Sequence, residues 1–106
     1  MLPKNKRVTK DIFQTIMKKG NIISGSFFVF RYIKQEYSQY AFVVPKKIAK
    51  TAVKRNSMRR VGYNILRTIN PQLNAGIFFY KKEALGVSLI EIKKDIISIF
   101  IKASVK

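Results

Sequence analysis

The chain has 106 residues, 47% of them apolar and 12% aromatic, which is enough for one hydrophobic core and too few for two. Its 22 Lys and Arg against 5 Asp and Glu leave a formal charge of +17, and it has neither Cys nor His. That composition excludes extensive disorder, a disulfide framework, a thiol nucleophile, a Cys or His metal site and a His-based catalytic pair, and it calls for a polyanionic partner.

In chain order, residues 1–8 read as a basic arm with no apolar run behind it, so no exported leader is indicated. Thr9 is placed to cap a first helix over Lys10–Lys19, in which Phe13, Ile16 and Met17 share a stripe, and Gly20-Asn21 stops it. A short edge strand is expected over Asn21–Ser24. Phe27–Ile33 and Tyr40–Val44, rich in aromatic and β-branched residues, read as strands joined by a hairpin turn at 36–39. Pro45 punctuates, and a long helix is expected over Thr51–Ile69, closed by Asn70-Pro71. Gly76 opens a buried strand to Tyr80; a loop over 81–87 leads to Ser88-Leu89-Ile90-Glu91, whose capping-box spacing starts a last helix to about Ala103. The long helix between two strands implies a crossover and therefore a parallel pair in an otherwise antiparallel sheet. The fold class is α+β, with helices on a four-stranded mixed sheet. The greasiest stretch, 96–105, is far short of the roughly 20 residues of a membrane span, and a soluble cytoplasmic protein is expected.

The middle helix carries the functional signal. At about 100° per residue, Arg55, Arg59, Tyr63, Asn56, Arg67 and Arg60 fall within about 140° of one another, a cationic face with a ring set in it. Met58, Val61, Ile65 and Ile69 form the expected core stripe. The polar side holds no acid, so neighbouring cations repel unless an anion lies against them. Arg offers a planar fork for phosphate or a guanine edge, while Asn both donates and accepts and can hold a neighbouring Arg in place. Lys46, Lys47, Lys50 and Lys54 form a dense basic entry to this helix and suit RNA phosphates. The five acids, Asp11, Glu36, Glu83, Glu91 and Asp95, are scattered, with no spacing for a carboxylate pair or a metal site. No protein-borne catalytic residue is expected.

The run Ala52-Val53-Lys54-Arg55-Asn56-Ser57-Met58-Arg59-Arg60, preceded by Val44-Pro45-Lys46-Lys47, resembles the signature of the bacterial ribonuclease P protein subunit. The opening Leu2-Pro3-Lys4, the first helix ending Lys18-Lys19-Gly20, the strand pair, Lys81-Lys82 and the capped last helix follow the family's order. The resemblance implies a single domain over 1–106, an αβββαβα two-layer sandwich with a left-handed crossover. It further implies a subunit of a tRNA 5′-processing endonuclease whose catalysis resides on a large RNA using Mg²⁺, the partners being that ribonuclease P RNA and precursor tRNA. In such proteins the Arg-Asn helix contacts the catalytic RNA, and the single-stranded leader lies in a cleft between that helix and the sheet.

Carried over by residue, Arg55, Asn56, Arg59 and Arg60 match the motif, whereas Ser57 stands where a basic residue is usual. Tyr63 and Asn64 replace an Arg-Glu pair. Phe13 falls on a cleft aromatic, Met17 replaces a second one, and Arg31 replaces a strand Tyr. The expected leader cleft is thus Phe13, Met17, Arg31 and Tyr63, with Phe13 and Tyr63 facing each other across it; Phe27, Phe28, Phe30, Phe42, Phe78 and Phe79 are assigned to the core. A ribosomal or other structural RNA-binding protein would share the charge and size, but such proteins often carry their charge on extended tails. A membrane-surface protein would need a broad exposed apolar helix face.

Overall fold

The computed structural model describes residues 8–35, 38–69 and 74–105; the expected basic arm up to residue 7 and the centre of the expected turn, Glu36 and Tyr37, lie outside them. The described elements are α1 (Lys10–Lys19), β1 (Asn21–Ser24), β2 (Phe28–Lys34), β3 (Gln39–Val43), α2 (Ala52–Thr68), β4 (Asn74–Tyr80) and α3 (Leu89–Val105), with a 3₁₀ turn at Lys82–Ala84. Local signals set the helix starts. The Thr9 hydroxyl accepts from the Ile12 amide and the Thr51 hydroxyl from the Lys54 amide, each satisfying an amide that the first turn leaves without a partner.

The strand order is β1-β2-β4-β3, with β4 antiparallel to β2 and parallel to β3. The expected parallel pair is therefore present, across α2. The expected β2–β3 hairpin is not: β4 lies between the two strands. The reason is burial. Ala75, Gly76, Ile77 and Phe78 are all buried, so this strand is covered on both faces and takes the sheet's interior, while the more polar β1 takes an edge.

Strand alternation divides the sheet into two faces. On one, Phe78 of β4 stacks between Phe30 of β2 and Phe42 of β3, with ring centroids 4.4 and 4.9 Å away, and Phe100 of α3 meets it edge-on at 5.6 Å. α2 and α3 cover this aromatic ladder through Tyr63, Ile65 and Leu66 and through Ile92, Ile96, Ile99, Phe100 and Ala103. Two glycines permit the close approach. A Cβ at Gly62 would stand 2.6 Å from the Phe42 ring, and one at Gly76 would stand 2.2 Å from the Phe30 ring. On the opposite face α1 packs, seating Ile16 against Ala75 and Ile77, and Val29, Ile33, Ala41, Val43 and Phe79 there are half-buried.

The contact with Phe42 also fixes how α2 is rotated. Its buried residues are Gly62, Tyr63, Ile65 and Leu66, whereas Met58, Val61 and Ile69 of the expected stripe are only partly buried. The Tyr80 hydroxyl, reaching across from β4, donates to the Met58 carbonyl at 2.6 Å, and burial pushes its pKa well above the usual phenol value. The folded chain thus holds this proton more tightly than the unfolded one. The corresponding stability is present below about pH 10 and is lost as pH rises beyond it. Tyr80→Phe is expected to cost about 1 kcal/mol in a denaturation curve and to remove one late phenolate step from an absorbance titration.

Candidate RNA-binding interface

The rotation of α2 sorts its polar residues into two groups. Asn56, Arg60 and Arg67 are exposed on the outer face together with Ser57 and Asn64, and no acid stands in the first turn of the helix. Arg55 and Arg59 lie on the inner arc that, two turns later, becomes the core contact, and both are half-buried. One guanidinium nitrogen of Arg55 donates to the carbonyls of Ala49 and Lys50, each at 3.0 Å. Arg55 therefore clamps the entry loop to its own helix, a structural duty that its place on the expected cationic face did not disclose. Arg59 donates to the Asn56 side-chain oxygen, the Asn-to-Arg support that the sequence suggested.

Lys46, Lys47, Lys50 and Lys54 are exposed around the entry to α2. Because β3 and β4 run parallel, their carboxyl ends lie together at this end of the sheet. The entry loop leaves the one strand and Lys81 and Lys82 follow the other. The helix N-terminus, with its partial positive charge, opens onto the same end. These groups form one cationic region running from the sheet end along the outer side of α2.

The expected leader-cleft residues separate. Phe13 and Met17 belong to α1 on this second sheet face, where Phe13 is partly buried against the cluster of Ile16, Ala75 and Ile77. Arg31, on the same face of β2, reaches the Met17 sulfur at 4.0 Å. Tyr63 does not join them. It is 7% exposed and meets the Phe42 ring edge-on at 5.1 Å, on the other side of the sheet. The space between α2 and the sheet is filled by Tyr63, Leu66, Phe42 and Phe78, so the expected cleft between that helix and the sheet is core. The half-buried apolar surface lies instead on the other face of the sheet, beside α1.

Sequence reasoning overlooked part of that surface. Phe79, assigned to the core, faces it half-buried, as do Ala41 and Val43. The signal was the alternation along β4: Phe78 and Tyr80 point to the aromatic ladder, so Phe79 must point away. That face then offers half-buried apolar side chains, a ring on α1 and a guanidinium on β2, which suits flat bases joined by phosphates.

The acids among the described residues do not gather. Asp11, Glu83 and Glu91 are exposed and far apart in the chain, and both Asp95 oxygens accept backbone amides, from Ser26 at 2.8 Å and Phe27 at 2.9 Å. Among the described residues no three acidic side chains come together to hold a metal ion, and no helix is long and apolar enough to cross a membrane.

Comparison with known proteins gives this architecture its relatives. Two ribonuclease P protein components, from two strains of Mesomycoplasma hyopneumoniae, are each 41% identical over 54 residues, 51% of this chain and 47% of theirs; the alignment spans about half the length of these curated relatives. A solved Staphylococcus aureus RNase P protein, a mutant with defective mRNA degradation activity, superposes with a TM-score of 0.83 at 21% identity, covering 95% of this chain and 90% of that one. The RNase P protein from Thermotoga maritima gives 0.79 at 21% identity, covering 91% and 96%. At that identity the structures speak for the fold: the same α+β arrangement with a four-stranded mixed sheet. The family model described as Ribonuclease P matches residues 2–104, taking in the basic α2 and α1 alike, and on that match the chain belongs to the Ribonuclease P family.

Proposed function

We propose that this chain is the protein subunit of a ribonuclease P holoenzyme, which removes the 5′ leader of precursor tRNA. The observation that carries the reading is the acid-free cationic outer side of α2 in a chain that the family model spans over residues 2–104. In this reading Asn56, Arg60 and Arg67, with Lys46, Lys47, Lys50 and Lys54 at the helix entry, neutralise phosphates of the ribonuclease P RNA. Arg55 and Arg59 shape that surface from beneath. Unpaired leader nucleotides lie along the surface beside α1, on Phe13, Phe79 and Val43, with Met17 and Arg31 at its side. Arg31 supplies a cation and a flat stacking surface together. In the same reading Mg²⁺ for the cleavage step is held mainly by the RNA and the substrate.

The test is reconstitution with the ribonuclease P RNA of the same organism and a leader-bearing precursor tRNA at low Mg²⁺. Cleavage at the mature 5′ end that depends on the added chain is the expected result; equal cleavage with and without it would sink the proposal. The surface beside α1 has its own readout. Arg31→Ala is expected to lower the ratio of precursor to mature tRNA affinity by about tenfold, as for the loss of one stacked base. Tyr63→Ala, now a core truncation, should instead cost about 3 kcal/mol of stability, measured by chemical denaturation.

A further inference from the structure

Beyond the carboxyl ends of β3 and β4 lies a cleft of about 500 Å³ lined by Pro45, Lys47, Ile48, Tyr80, Lys81, Lys82 and Glu83. Neither the α2 face nor the surface beside α1 accounts for it. Its size is within the range of small-ligand sites, and the ends of parallel strands are where α/β sheets commonly receive ligands. The lining divides by chemistry. Pro45 and Ile48, both half-buried, give an apolar floor, with Tyr80 buried behind it. Lys81 is occupied, since its ammonium donates to the Ser24 hydroxyl at 2.8 Å and to the Gly25 carbonyl at 2.6 Å. Lys47 and Lys82 are exposed at the rim and come from separate segments, one after each strand. Glu83 is exposed at the same rim and would repel a phosphate set beside it.

We propose that this cleft holds one unpaired nucleotide of an RNA strand. The base rests on Pro45 and Ile48 with its N–H edge toward the Glu83 carboxylate, and the flanking phosphates lie on Lys47 and Lys82. An RNA strand is favoured over a free nucleotide because the cationic ground continues outward, through Lys46, Lys50 and Lys54, as a track for further phosphates. The inference rests on the RNA-binding reading above and adds to it a place where a single base is gripped.

The chain contains no Trp, so Ile48→Trp installs a lone reporter in the cleft floor. A six-nucleotide unpaired oligoribonucleotide is expected to quench it saturably, because a stacked base contacts the indole. An abasic strand of the same length should bind, as read by anisotropy of an end label, with little quenching. Lys47→Ala with Lys82→Ala in the reporter chain should weaken the quenching titration by about tenfold at low salt. Equal quenching by the abasic strand, no effect of the lysine pair, or a nucleoside monophosphate saturating as tightly as the strand would each overturn the proposal. Should Ile48→Trp fail to fold, the native chain carries the test. Losing the two lysines is expected to reduce the salt slope of oligonucleotide binding by about 1.4, or 0.7 per phosphate, and an unchanged slope would overturn the assignment. The holoenzyme assay reads the broader function separately: protein-dependent cleavage with every cleft test negative removes the cleft alone, whereas positive cleft tests without cleavage leave an RNA site on a protein of another role.

Discussion

Asp95→Ala is expected to lower the stability of the chain by about 3 kcal/mol, as the loss of two hydrogen bonds to an ionised acceptor predicts. Asp95 sits on the buried stripe of α3 among Ile92, Ile96 and Ile99 and is 8% exposed. Its two oxygens take the amides of Ser26 and Phe27, in the turn between β1 and β2. Lys81 grips the same turn through the Ser24 hydroxyl and the Gly25 carbonyl. One turn thus ties the last helix and the central strand to the sheet edge. Alanine leaves both amides without their acceptor. Asp95→Asn keeps the volume and one acceptor but turns an amide N–H₂ toward a backbone donor, so about half the loss or more is expected. Urea denaturation should show the midpoint falling at constant slope, and hydrogen exchange at Ser26 and Phe27 should accelerate first. A midpoint that does not move in Asp95→Ala would show that this turn is held without the carboxylate.

The same residue shows what the sequence made legible and what it hid. Composition places five acids against a +17 background, but no local pattern announces that one of them lies within a helix's apolar stripe to serve amides 68 and 69 positions away. Short-range signals read well. Thr9 caps the helix it precedes, α1 runs over the expected Lys10–Lys19, Asn21–Ser24 is an edge strand, and the long helix starts within one residue of the expected Thr51, which is its cap. Long-range choices read poorly, because each depends on a competition that no single segment contains. β4 separates β2 from β3 because its residues are apolar on both faces, an advantage gained only once helices cover the sheet on both sides. Tyr63 is in the core because Gly62 lets α2 close on Phe42. That approach rotates the helix and moves the centre of the buried arc toward Leu66, leaving Met58 and Val61 at its margin. The cationic composition of α2 was visible; which cations face outward was settled by a glycine and a ring.

That rotation yields the second large effect. Arg60→Glu with Arg67→Glu is expected to weaken binding to the ribonuclease P RNA by about a hundredfold, roughly tenfold for each phosphate attraction turned into repulsion. The log-log salt slope should fall by about two units. Both positions are exposed on the outer side of α2, so the denaturation midpoint should scarcely move, within about 0.5 kcal/mol. Arg55→Glu should behave differently. It removes the donor that joins Ala49 and Lys50 to the helix and sets a carboxylate against their carbonyls, at a cost of about 2 kcal/mol. The entry loop carrying Lys46, Lys47 and Lys50 would then lose its fixed position. Its RNA affinity should fall partly through this loosening, which Arg55→Lys separates: the charge stays, the fork is lost, and stability drops with a smaller change in salt slope. If Arg60→Glu with Arg67→Glu binds the RNA as the unaltered chain does at matched salt, the outer face of α2 is not the RNA surface, and the end of the sheet, with Lys46, Lys47, Lys50 and Lys82, becomes the place where the polyanion must lie.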